Sequence, residues 1–255
     1  KGGIVVLHRC CAALAGAFAI LAFSAAAAQA PSEAQRTRAR EILERVVEMD
    51  TSVEGRRVPE MANYLAEQFR AGGFAAEDVH VVPYEQTAAL VVRYRGDGRG
   101  GRPILLIAHM DVVTARRADW ERDPFTFVEE SGFFFGRGSY DNKAGLVALV
   151  STFLQLKSEG FTPTRDLIIA FSGDEETSGA TVRNLLENHR QPIDAEFALN
   201  ADAGGGSLNE ETGAARAYNM QTAEKSYASY TLTARNPGGH SSQPRPDNAI
   251  FDVAA

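Results

Sequence analysis

Ile104-Leu-Leu-Ile-Ala-His109-Met-Asp111 decides how the rest of the chain is read. Five apolar residues run without alternation and end on a histidine and an acid. A continuous apolar run of that length is the mark of a strand buried on both faces, as in sheets covered by helices. Its polar end then falls where open α/β sheets place their ligands, just past a strand's carboxyl end.

The neighbouring segments fit that reading. Upstream, Ser32–Met49 carries apolar Ile42, Val46 and Val47 against a charged face and predicts a helix. A second helix is expected over Pro59–Ala71, with proline in its first turn and Gly72-Gly73 behind it. Strands are expected at Val79–Pro83 and Ala89–Arg95 before Ile104–Ala108, and at Leu167–Phe171 and Phe197–Asn200 after it. Helices near Lys143–Leu156 and Ala180–Asn188 separate them. The alternation predicts an α/β domain, a mixed, mostly parallel sheet flanked by helices. From Thr222 to Ala234 the pattern changes to strict alternation, which reads as the first strand of a separate, half-exposed sheet beginning near Met220.

The ends of the chain read differently from its middle. Lys1, His8 and Arg9 precede an apolar run from Cys10 to Phe23, then the small residues Ser24–Ala30, as in a signal peptide over residues 1–30. Periplasmic or secreted localisation is the expectation, with no membrane association once the leader is cleaved. Both cysteines lie in that leader, so residues 31–255 offer no disulfide and no thiolate ligand. The formal charge of −7 argues against a nucleic-acid partner.

Four short motifs follow strands and sit beside glycine. His109-Met-Asp111 alone is equally a polar pair in a core. In Gly136-Arg-Gly-Ser-Tyr-Asp141-Asn-Lys-Ala-Gly145, Asp141 could reach inward or simply cap a helix. Asp174-Glu175-Glu176 could be a solvated helix start, and Asp202 could belong to a turn. Together they make an oxygen-rich donor set with one imidazole, which suits paired divalent ions better than one structural zinc.

In this order the motifs resemble the series of the M20 metallopeptidases, and Trp120 with Asp123-Pro124-Phe125 matches the spacer between the first two. The resemblance implies a zinc-peptidase-like catalytic domain over residues 31–220 and the start of an α+β lid or dimerisation domain over 221–255. It implies two divalent ions, zinc foremost with cobalt or manganese as alternatives. His109 and Asp202 would bind one, Asp141 would bridge, and Glu176 would bind the second. Glu175 would be the general base, Asp111 would orient His109, and the Asp141–Asn142 bond would be cis. His240, in Gly238-Gly-His-Ser241, would stabilise the oxyanion from the lid. The implied reaction is hydrolysis of a peptide or N-acyl-amino-acid amide bond by a carboxypeptidase, dipeptidase or deacylase, with a homodimer formed through the lid. The family's last metal-binding histidine lies in a C-terminal segment, so the chain reads as the N-terminal portion of a longer protein. The competing expectation is a non-catalytic binding protein that kept the fold. The absence of that last histidine from residues 1–255 favours it, and against it every motif residue expected within this span is intact. A serine hydrolase is disfavoured by the lack of a G-x-S-x-G elbow.

Overall fold

The computed structural model describes residues 31–202, 205–226, 228–240, 242–243 and 245–254. The expected leader therefore lies outside the described residues. No helix among the described residues is long and apolar enough to cross a membrane.

Helices α1 (Glu33–Val47) and α2 (Val58–Ala71) come first. A capping box starts α1: the Ser32 side chain accepts from Gln35 N–H, while the Gln35 side chain accepts from Ser32 N–H. Strands β1 (Val79–Tyr84), β2 (Thr87–Tyr94) and β3 (Ile104–His109) follow. Next come a short hairpin, β4 (Val128–Glu130) and β5 (Phe133–Phe135), and helix α3 (Lys143–Ser158). Strand β6 (Leu167–Ser172), helices α4 (Ala180–Asn188) and α5 (Arg190–Ile193) and strand β7 (Phe197–Asn200) complete the main layer.

The five long strands form one sheet in the order β1-β2-β6-β3-β7. The β3–β6 and β3–β7 pairings are parallel, and β1–β2 and β2–β6 are antiparallel. All strands but β2 thus run the same way, and the sheet is mixed as expected. Its two faces divide by residue parity, because alternate side chains point to opposite sides. Leu90, Val92, Ile169 and Phe171 pack with α1, α2 and α3, whereas Ala89, Val91, Ile168 and Ala170 pack with Leu185 of α4 and Ile193 of α5. Helices on both faces explain the unbroken apolar runs of β3 and β6.

Register brings the site together. His109 pairs with Ser172, and Ile107 with Asn200, so the carboxyl ends of β6, β3 and β7 lie side by side. Beyond them a second hairpin forms from β8 (Gly205–Leu208) and β9 (Ala215–Asn219), and helix α6 (Ala249–Ala254) lies at the end of the chain. The alternating segment at 222–234 forms no strand among its described residues. Alternation favours a strand only where another strand accepts its backbone ladder, and no described strand pairs with it.

Candidate metal centre

His109 ends β3, and its ring is almost fully buried. Nδ1 lies 3.0 Å from the backbone oxygen of Asp111 and 3.4 Å from its Oδ1. With Nδ1 so engaged, Nε2 is the ring atom turned toward the acids, 3.0 Å from Asp141 Oδ1 and 3.6 Å from Asp202 Oδ2. One imidazole therefore has one nitrogen to offer a cation.

Asp111 is buried, and both its oxygens are taken. Oδ1 accepts from Glu175 N–H at 3.0 Å and Oδ2 from Glu176 N–H at 2.9 Å. The acid that touches the imidazole thus also holds the loop after β6. The next acid, Asp174, turns away from the cluster. It accepts from Ser178 Oγ at 2.5 Å, from Ala180 N–H at 2.6 Å, from Thr181 N–H at 3.0 Å and from the Thr181 hydroxyl. Burial works against its charge, but these donors outweigh it and hold the carboxyl below its usual range. Asp174 thereby supplies the α4 amino end with the acceptor that Gly179, the residue before the helix, lacks. Its neighbours Glu175 and Glu176 are left facing the centre.

Asp141 approaches from the loop before α3, its side chain 59% exposed toward the opening. The Asp141–Asn142 peptide is cis, as the resemblance implied. Gly138, at φ +84°, lets that loop pass close to its neighbours: a Cβ there would sit 2.8 Å from Val112 and 2.9 Å from the Lys143 side chain. The Arg137 guanidinium lies 5.0 Å from the centre of the Trp120 ring, and Arg137 N–H donates to Pro124 O at 2.7 Å. The spacer motif is thus packed against the loop that carries Asp141.

Two triads have ligand atoms within 4.8 Å of one another: His109, Asp141 and Glu176, and His109, Glu175 and Asp202. All the expected ligands and the expected base are therefore brought together. His240 is not joined to them by any described contact: it is exposed, and its Nδ1 accepts from Ser242 N–H at 3.3 Å.

The electrostatics suit a cation. Burial alone would lower the His109 pKa, yet the hydrogen bond and charge of Asp111, with Asp202, raise it to about 9. Burial first, and then the neighbouring carboxylates, push Glu175 and Glu176 above their usual range. Several acids facing one imidazole repel one another without a positive partner, and hard oxygen donors with one nitrogen fit a divalent ion.

Lys143 stands in the Gly136–Gly145 motif with no role assigned to it, and it is fully buried. Burial lowers its pKa to about 7, and its Nζ donates to Met49 O at 2.8 Å, tying the segment after α1 to the start of α3. Asn142 was equally silent in the sequence, where an amide next to a candidate ligand has no distinguishing mark.

The description Peptidase family M20/M25/M40 matches residues 105–249, more than half of the chain. The chain is 31% identical over 170 residues to the N-fatty-acyl-amino acid synthase/hydrolase PM20D1.1 of Danio rerio, covering 63% of this chain and 32% of that protein. It is 33% identical over 214 residues to the probable succinyl-diaminopimelate desuccinylase of Staphylococcus aureus, covering 82% of this chain and 48% of that protein. The fold matches the M20 family metallo-carboxypeptidase Sso-CP2 of Sulfolobus solfataricus with a TM-score of 0.58 and 19% identity, covering 68% of this chain and 38% of that one. The matched segments span from about a third to about a half of these proteins.

Proposed function

Because the chain belongs to peptidase family M20/M25/M40, we propose that it carries the metal centre of a hydrolase cleaving the amide bond of a peptide or an N-acyl amino acid. One observation carries the reading: His109, Asp141, Glu175, Glu176 and Asp202 arrive from four separate segments at two overlapping ligand-distance triads. His109 and Asp202 would hold one divalent cation, Glu176 a second, and Asp141 both, with zinc the expected metal and cobalt or manganese the alternatives. What the cations supply when bound is Lewis acidity toward water and the substrate carbonyl.

The residues of the chain do the rest. Asp111 keeps the imidazole in one tautomer and holds Glu175 and Glu176 by their backbone, so the acids cannot drift as charge changes. Glu175, as the carboxylate, takes a proton from the attacking water as the carbon–oxygen bond forms. It returns that proton to the nitrogen as the carbon–nitrogen bond breaks. His240 is assigned the developing oxyanion. The cavity that His109, Glu175 and Asp202 line has a volume of about 180 Å³ and a mainly apolar wall that includes Leu105, Ile107 and Leu185. Export through the leader and pairing through the lid complete the proposal; N-terminal sequencing of the exported protein and its sedimentation test them.

The experiment is zinc content and turnover, measured together on the full chain with dipeptide and N-acyl-amino-acid substrates. Asp141→Ala should lose metal and activity together. Glu175→Ala should keep its zinc and lose turnover by about 10²–10⁴-fold, and His240→Ala should lower turnover at unchanged zinc content. Joint loss of metal and turnover in Glu175→Ala would make Glu175 a ligand, since it also lies within ligand reach of His109 and Asp202. A folded wild-type chain that takes up no metal would end the proposal.

A further inference from the structure

We infer that Asn142 is a positioning residue for Asp202: its carboxamide holds one oxygen of that carboxylate and leaves only Oδ2 to the centre. The inference rests on the metal reading above. Asn142 is 2% exposed, and its Nδ2 donates to Asp202 Oδ1 at 2.8 Å and to Ala201 O at 3.1 Å. Both neighbours are acceptors, so the amide can take only this orientation; the reverse would set its oxygen against two oxygens. The price is visible: Asn142 Oδ1 is buried with no hydrogen-bond partner. A buried polar atom left unpaired is uncommon and marks a side chain whose orientation is fixed by something else. Here the fixing partners are the two oxygens at the end of β7.

The surrounding backbone leaves room for this contact. Gly145 lies in the first turn of α3, and a Cβ there would come within 2.6 Å of Ala201 O and 3.1 Å of Asn142 Oδ1. Any larger residue would force apart α3 and the end of β7, and with them the amide and Asp202. The consequence falls on Asp202. Its Oδ1 is occupied by the amide, while Oδ2 points to within 3.6 Å of His109 Nε2. A carboxylate held in this way presents one oxygen in one direction, and one chain segment sets two ligands: Asp141 directly, and Asp202 through the next residue.

Asn142→Leu tests this, because leucine has nearly the same branched shape and no donor. Zinc affinity would be measured on the full chain by competition with a chromophoric chelator, and the cobalt-loaded absorption spectrum recorded beside it. The variant should bind zinc about tenfold or more weakly and show a changed cobalt spectrum. In an Asp202→Ala background the same substitution should alter affinity by less than about twofold, since the residue it acts through is gone. Wild-type affinity and spectrum in Asn142→Leu, or an equal loss in both backgrounds, would overturn the inference while leaving the metal centre standing. Should the leucine variant fail to fold, as judged by circular dichroism of the metal-free chain, Asn142→Ala is read by the same criteria. Unfolding of both would assign Asn142 to the fold instead. A wild-type chain that binds no zinc would overturn this inference and the metal reading together.

Discussion

Asp111 illustrates what a single residue discloses and withholds. Two positions from His109 in an extended segment, it is legible as the group that steadies the ring, since such residues point the same way. Its second task is not legible. The N–H groups of Glu175 and Glu176 reach its carboxylate only because β3 and β6 pair with His109 opposite Ser172, and no local pattern announces a register between strands sixty residues apart. The same limit hid Asn142 and Lys143, whose partners lie at Asp202 and Met49. The double role of Asp111 predicts an unequal pair of variants. Asp111→Ala strips the acceptor from two partly buried N–H groups, at roughly 1–3 kcal/mol each. Asp111→Asn keeps the shape and one acceptor oxygen. Urea unfolding of the metal-free chain should therefore show about 2 kcal/mol or more lost in the alanine variant and distinctly less in the asparagine variant. Equal small losses would mean that the two N–H bonds contribute nothing to the fold.

At the level of elements, the five sheet strands and the four longer helices before β7 were legible because each couples a clear period to a clear stop. The capping box of α1, the proline at the start of α2 and the unbroken runs of β3 and β6 are local features with local causes. The β4–β5 and β8–β9 hairpins were not legible. Their strands have three to five residues and lie largely on the surface, so no apolar periodicity marks them. The converse failure is 222–234, where alternation is clear but no described strand pairs with it. Joining of elements is also electrostatic. Asp166, just before β6, accepts from Arg93 Nε of β2 at 2.6 Å and from Gly96 N–H at 2.7 Å. Burial opposes its charge, but the Gly96 and Arg93 bonds prevail and hold its pKa below the usual value. A carboxyl with a lower pKa folded than unfolded stabilises the fold fully above its unfolded pKa, about 4, and loses that contribution as the pH falls through the folded value. Asp166→Asn should thus lower stability at pH 7 and matter progressively less toward pH 2. Chemical denaturation of both proteins across that range measures it, and a constant difference would show that the charge of Asp166 is not what stabilises the junction.

Over the whole molecule, the centre is a point where otherwise separate parts of the chain meet. Its candidate ligands end β3, precede α3, follow β6 and follow β7, so a cation bound there would bridge segments that unfolding disperses. A ligand that binds the folded chain and not the unfolded one stabilises it by RT ln(1 + [L]/Kd), about 2.7 kcal/mol at a hundredfold excess over Kd. The gain comes on top of relief among acids that repel one another without a cation: Glu175 and Glu176 are both raised by burial and by neighbouring carboxylates. Thermal unfolding should therefore move upward with zinc and return to the metal-free value with chelator. The variants should separate by role. Asp141→Ala, which removes the proposed shared ligand, should lose most of the zinc-dependent shift. Glu175→Ala should keep it, and its metal-free form should be no less stable than wild type, because one of the repelling acids is gone. A zinc shift of equal size in Asp141→Ala would place the bound metal elsewhere on the chain. No shift in a wild-type chain that unfolds cooperatively would mean that these acids meet for a reason other than a cation.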